Sequence, residues 1–250
     1  MITIFRSLFA PPRHLILFLP ALWLGLSLSE KRADRYHISK DMLNNIVLYG
    51  MLGYLLGGRL LFVVANISAF MKSPLSLFSI NLDLFDPVGG FVTALLVGFG
   101  YGQRRKLPLW STLDVLTPLF AMSAIGLALV HLAAGTAFGS LTSLPWGIDL
   151  WNAARHPTQI YELILSVLVF GFIWFRKTSP PVGSDFLWFL ALTAGARLFL
   201  EAFRGDSELI FGGVRLAQVL AWIVLALTLL VSEALRSTKR SIKQNPPLSK

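Results

Sequence analysis

The chain has 250 residues with a formal charge of +9, yet only 14% of them are charged and 55% are hydrophobic, at a mean hydropathy of +0.66. Soluble domains carry about 25% charged residues, so this composition excludes an ordinary soluble globule and calls for an integral membrane protein. The absence of cysteine removes disulfides, thiolate metal ligands and covalent thiol catalysis, and the four scattered histidines lack the spacing of a metal site, so neither a metal nor a cofactor is expected.

Apolar runs near the length of one bilayer crossing predict seven spans: 11–29, 44–66, 87–103, 112–134, 157–175, 184–203 and 214–232. The fold class expected is an all-α polytopic bundle with outer interfacial elements. The first run, His14 to Leu28, has the length of a signal peptide, but SEKRADR follows it with no small-residue cleavage pattern; it reads as a retained first helix. Between the second and third spans, Ser68 to Asp86 carries Phe70, Met71, Leu75, Phe78 and Leu82 among polar residues, as an interfacial arm would. Leu141 to Arg155, with Trp146 and Trp151, reads as a second interfacial element.

The connections sort by charge. Lys31, Arg32, Arg35, Lys40, Arg104, Arg105, Lys106, Arg176, Lys177, Arg236, Lys239, Arg240, Lys243 and Lys250 fall on one side. Arg6, Arg13, Lys72, Arg155, Arg204 and Arg215 fall on the other. The positive-inside rule then places the N-terminus outside and the C-terminus in the cytoplasm. Lipid headgroups account for the basic residues, and nucleic acid is not an expected partner. The expected organisation is one transmembrane domain, 1–236, and a basic, disordered cytoplasmic tail, 237–250.

Polar groups within these spans are costly, so each needs a partner or a ligand. In GYLLGGRLLF, Gly53 to Phe62, the glycines allow close helix packing while Arg59 demands a partner. FDPVGGF, Phe85 to Phe91, opens the third span with a glycine pair. His14 and His131 fit packing residues better than bases, and Asp114 fits a cap or surface charge. In RHPTQIYELILS, Arg155 to Ser166, Thr158, Tyr161 and Glu162 share a helix face and Gln159 lies three residues before Glu162. That cluster suits either a capped helix bonded to its neighbours or the wall of an anion site. In GARLFLEAFRGD, Gly195 to Asp206, residues Arg197, Glu201 and Arg204 share one face. One Glu can pair internally but cannot neutralise two Arg, which favours an anion such as a lipid phosphate.

HPTQIYE at 156–162 resembles the HPSQLYE-type motif of the prolipoprotein diacylglyceryl transferase family. The resemblance continues in GGR at 57–59, Gly89 and Gly90, the Arg197, Glu201, Arg204 pattern, the SEKRADR loop and Gln218, over roughly residues 13–235. It implies a bacterial inner-membrane, multi-pass enzyme with seven spans. Such an enzyme moves the diacylglyceryl group of phosphatidylglycerol to the lipobox cysteine thiol of a prolipoprotein, releasing glycerol phosphate. By motif position, Arg59 and Arg197 would contact the phosphate and headgroup, Glu201 and Arg204 would order the site, and Gln159, Gly89 and Gly90 would line it. The partners implied are phosphatidylglycerol or another anionic phospholipid, and prolipoprotein signal peptides.

The fourth-span signature of that family, GRxGNFxNGExxG, falls on LALVHLAAGTAFG, Leu127 to Gly139. Its Arg lands on Ala128, its Asn residues on His131 and Ala134, and its Glu on Thr136; Gly135 and Gly139 match, and Phe138 is a bulky near match. A family His lands on Val88, and two family Tyr land on His14 and Thr193. Two readings stay open. One is a divergent transferase whose acid–base set is relocated, with His156, Tyr161, Glu162, His131 and Asp86 as candidates. The other is a phospholipid-binding or scaffolding relative without the reaction; a transporter lies further off.

Overall fold

A computed structural model describes residues 2–11, 13–79, 81, 84–176, 181–210 and 212–244. Among these the helices are α1 (Ile2–Leu8), α2 (Phe18–Ala33), α3 (Lys40–Ala65), α4 (Ile67–Lys72), α5 (Pro87–Arg104), α6 (Leu109–Ala134), α7 (Thr158–Phe175), α8 (Ser184–Glu201) and α9 (Leu216–Gln244). Three 3-10 turns, Arg13–Leu17, Asp34–Tyr36 and Pro74–Phe78, join them. Two short antiparallel hairpins complete the chain: β1 (Ile148–Leu150) with β2 (Ala153–Arg155), and β3 (Leu209–Ile210) with β4 (Val214–Arg215).

Four helical segments are long and apolar enough to cross a bilayer: Lys40–Ala65, Leu109–Ala134, Thr158–Phe175 and Leu216–Ser237. The protein is thus a helical, multi-pass membrane protein. The other three expected crossings fall short for readable reasons. α2 has 16 residues, α5 is diluted by glycine and ends in Gln103 and Arg104, and α8 carries Asp185, Arg197 and Glu201. The expected disordered tail overlaps the last turns of α9, where Lys, Arg and Gln are good helix formers; residues 245–250 lie outside the described residues.

The chain divides into two compact units, one of residues 1–29 with 113–250 and one of residues 30–112. In the second unit, α3 and α5 pack through glycines. A Cβ on Gly57 would stand 2.3 Å from the Thr93 side chain, and one on Gly58 would stand 2.3 Å from the Phe85 ring and 2.8 Å from the Asp86 carbonyl. Asp86 caps α5, accepting from Val88 N (3.0 Å) and Gly89 N (3.1 Å), with Pro87 at the first helical position. The expected interfacial arm is α4 and the 3-10 turn after it; Phe70 is buried, while Met71 and Leu75 stand exposed. Leu82 and the Phe78 side chain lie outside the described residues.

In the first unit, α2 packs on α6 through small residues. A Cβ on Gly25 would meet the Leu119 backbone at 2.8 Å, and one on Gly126 would meet Ala21 at 2.6 Å. Pro118 removes a donor from inside α6, and the neighbouring Leu119 N–H is taken by Ser29 Oγ at 3.2 Å. The second expected interfacial element is the β1–β2 hairpin. Trp151 and Asn152 form its two-residue turn, both at positive φ (56° and 59°), as the twist of a tight hairpin requires.

Candidate functional site

Within the first unit, the segment after α6 sets the frame. Gly135 ends that helix in the left-handed region (φ 71°), its N–H reaching His131 O at 2.9 Å. Ala137 also sits at positive φ (55°), a strained conformation for a residue with a Cβ. Two side chains from the first turn of α7 hold the segment there: Thr158 Oγ1 donates to Ala137 O at 2.6 Å, and Gln159 Nε2 donates to Thr136 O at 2.9 Å. Both side chains are buried, so these bonds form where water cannot compete.

Backbone then pairs with backbone on either side. Gly205 N donates to Phe138 O (2.9 Å), Ser140 N to Phe203 O (2.8 Å) and His156 N to Ser140 O (3.0 Å). Gly139 lies so close to His156 that a Cβ there would stand 2.3 Å from the His156 carbonyl oxygen. The ends of α6, α7 and α8 are thereby tied to one short extended segment.

Polar side chains converge on this frame. His131 Nδ1 lies 2.8 Å from Glu162 Oε2, both side chains largely but not fully buried. Glu201 is fully buried. Arg197 Nη2 approaches its Oε1 at 2.8 Å, Arg204 Nε at 3.7 Å, and Arg215 Nη1 approaches its Oε2 at 3.8 Å. Ser207 Oγ donates to Oε2 at 2.5 Å, whereas Oε1 receives close positive charge but no well-aligned N–H. Arg204 makes a two-pronged contact with Asp206, Nε to Oδ1 and Nη2 to Oδ2, each at 3.0 Å. Arg204 repels the Arg197 guanidinium, while Glu201, Glu162 and Asp206 attract it, so the carboxylate that pairs with His131 also acts on the arginine cluster. The Arg197 side chain keeps 34% of its surface exposed, enough to meet a ligand.

Beside this cluster lies an apolar cleft of about 380 Å³, lined by Leu144, Trp146, His156, Tyr161, Ile164, Leu165, Phe199 and Phe203. Trp146 Nε1 donates to Tyr161 Oη at 2.9 Å, and the His156 ring packs at 5.2 Å on Phe203 and 6.3 Å on Tyr161. His156 Nδ1 and Gln159 Oε1 are buried and make no hydrogen bond among the described residues.

The remaining expected site residues lie in the second unit. Arg59 directs its guanidinium at carbonyls, Nη1 to Leu84 O (2.7 Å) and Nη2 to Ser76 O (2.6 Å) and Leu77 O (3.2 Å). Gly89 and Gly90 are buried in α5, where a Cβ on Gly90 would stand 2.8 Å from Tyr54 O. Asp114, expected as a cap or surface charge, is fully buried in the first unit. It accepts from Gly183 N (2.5 Å) and Phe186 N (3.0 Å), capping α8 from a different helix.

Several groups were not singled out as site residues from sequence. Asp206 and Ser207 lie two and three residues after Arg204, so proximity alone could have flagged them. Arg215 reaches Glu201 only because the β3–β4 hairpin folds back, and nothing in its local sequence announces that. Arg6 presses Nη2 against the α6 terminus, 2.5 Å from where a Cβ on Gly135 would lie. Among the described residues, no group of three His, Asp or Glu side chains is arranged to hold a metal.

A family model described as prolipoprotein diacylglyceryl transferase matches residues 14–232. Curated relatives named phosphatidylglycerol–prolipoprotein diacylglyceryl transferase are similar over most of their length. The protein of Vibrio parahaemolyticus is 28% identical, covering 87% of this chain and 82% of the relative. That of a Nostoc species is 28% identical, covering 94% and 89%. That of Vibrio cholerae is 30% identical, covering 83% and 79%.

Proposed function

The chain belongs to the prolipoprotein diacylglyceryl transferase family, and on that premise we propose that it transfers the diacylglyceryl group of phosphatidylglycerol to the lipobox cysteine of prolipoproteins. The reading includes seven crossings of a bacterial inner membrane, with α2, α5 and α8 completing the four long apolar helices, the N-terminus outside and the tail in the cytoplasm. The lipid and the signal peptide are its two substrates.

One observation carries this reading: three guanidinium groups, Arg197, Arg204 and Arg215, surround the buried Glu201, and Asp206 offsets only one more charge. Within this cluster three positive charges meet two negative ones, Glu162 of α7 being a further carboxylate that acts on Arg197, the exposed member. A surplus cation among apolar helices is expensive unless an anion accompanies it, and a phosphodiester is the anion a phospholipid brings. Arg197 then holds the phosphate and stabilises the charge that develops as the phosphate leaves. Buried Glu201 orients it, and Arg204 is held in place by Asp206. Gln159 and Thr158 keep the neighbouring segment in its strained form. Arg59, Gly89 and Gly90 are proposed to serve the lipid through their own unit. There, Arg59 fixes the carbonyls of the 76–84 connection and the glycines fix the approach of α3 to α5. His156 and Tyr161 line the cleft beside the cluster.

The purified protein in phosphatidylglycerol-containing micelles, given a lipobox peptide, should yield lipidated peptide and an equal amount of glycerol phosphate. Arg197→Ala should lower the rate by roughly a hundredfold or more, and Arg197→Lys should recover only part, since an ammonium cannot reproduce the planar fork. Ala128 and Thr136, where the resemblance expects Arg and Glu, favour the second reading, a phospholipid-binding relative without the reaction. Retained phosphatidylglycerol with neither product formed would select that reading, and lipid movement across vesicles without bond cleavage would select a transporter.

A further inference from the structure

We propose that His131, oriented by Glu162, is the group that takes the thiol proton in this chain; the inference rests on the transferase reading above. The 2.8 Å contact joins Nδ1 to Glu162 Oε2. An ionised carboxylate can only accept, so Nδ1 carries the proton and the lone pair resides on Nε2. Among the described residues Nε2 makes no hydrogen bond, and it is not among the fully buried unpartnered atoms. A base held by a carboxylate with its other nitrogen free is the arrangement that nucleophile activation needs.

The surroundings suit the task. His131 lies on α6 and Glu162 on α7, and the Glu162 charge acts on Arg197 of α8. Arg6 of α1 stands over Gly135, one helical turn beyond His131. A phosphodiester held by Arg197 would therefore sit in the same field as the base. In the step itself the peptide S–H gives its proton to His131 Nε2 and the thiolate attacks the diacylglyceryl carbon. The C–S bond forms as the C–O bond to phosphate breaks. The C–O electron pair leaves on the glycerol phosphate, which the guanidinium of Arg197 receives. The imidazolium then returns its proton to product or water, and no oxidant or further reactant is needed.

Two lipobox peptides test this, one with cysteine and one with selenocysteine, whose selenol is already ionised at neutral pH. Both are given to wild type, His131→Ala and Glu162→Gln in phosphatidylglycerol micelles. On the cysteine peptide, His131→Ala should lose about 10²–10⁴-fold in rate, and Glu162→Gln should lose activity that the selenocysteine peptide restores, with Arg197 the other charged group that acts on Glu162. On the selenocysteine peptide His131→Ala should stay within about tenfold of wild type, which also shows that the variant is folded. Equal losses on both peptides, or no loss on cysteine, overturn the base. A wild type that lipidates neither peptide instead overturns the transferase reading, and the base with it.

Discussion

Glu201 shows how much one buried carboxylate can organise. Its two oxygens face Arg197, Arg204, Arg215 and Ser207, which arrive from α8, from the turn after it and from the β3–β4 hairpin. Replacing it with Gln keeps the shape but leaves three guanidinium groups facing one another with only Asp206 to answer them. Breaking a buried pair in this way costs about 3–5 kcal/mol. Glu201→Gln should therefore unfold at clearly lower temperature in detergent, followed by the fluorescence of the seven tryptophans; an unchanged midpoint would show that water or lipid already compensates these charges. The pairing of Arg197 with Glu201 was legible from their spacing of four. The pairing of His131 with Glu162 was not: both were candidates for an acid–base set, but they lie 31 positions apart and the apolar surroundings of His131 favoured packing. Arg215 was hidden for the same reason. Contact across distant positions leaves no periodic trace.

At the scale of elements, glycine reads two ways, and only neighbouring atoms decide between them. Gly58→Ala places a methyl group within 2.3 Å of the Phe85 ring and 2.8 Å of the Asp86 carbonyl, and backbone cannot swing aside. Such overpacking costs about 1–3 kcal/mol, so the variant's thermal midpoint should fall. Gly100→Ala, in α5, meets nothing within 4 Å. It should hold or raise the midpoint, because Ala gains up to about 1 kcal/mol over Gly inside a helix. If both substitutions moved the midpoint alike, the close α3–α5 contact would be wrong. The seven longer helices were predictable from runs of apolar residues, whereas α1, ahead of the first expected span, was not. The caps were predictable only where they are local, as with Asp86; Asp114 caps a helix that begins 70 residues later. The hairpins escaped the reading altogether, since strands of two or three residues are too short to alternate visibly.

At the scale of the whole molecule, orientation in the bilayer is the property that charge alone proposes. The chain contains no cysteine, so single-cysteine variants report without background. Lys72→Cys and Glu208→Cys should react with a membrane-impermeant maleimide in intact spheroplasts, while Lys31→Cys and Arg105→Cys should react only after lysis. The opposite pattern would invert the proposed topology, and a mixed one would change the number of crossings. Family membership was legible too, because HPTQIYE, GGR and the Arg–Glu–Arg pattern keep their order along the chain. What that order left open was the purpose of the motif residues in this molecule. In the folded chain Thr158 and Gln159 grip the carbonyls of Thr136 and Ala137, and Arg59 grips those of Ser76, Leu77 and Leu84.

Composition and the length of the apolar runs determined by themselves that this chain lives in a membrane as helices, because a bilayer tolerates little else. Motif order determined its family. Which polar groups meet was decided only by the tertiary structure: a hydrogen bond at 2.8 Å depends on the positions of two helices at once, and no single stretch of sequence encodes the distance between them.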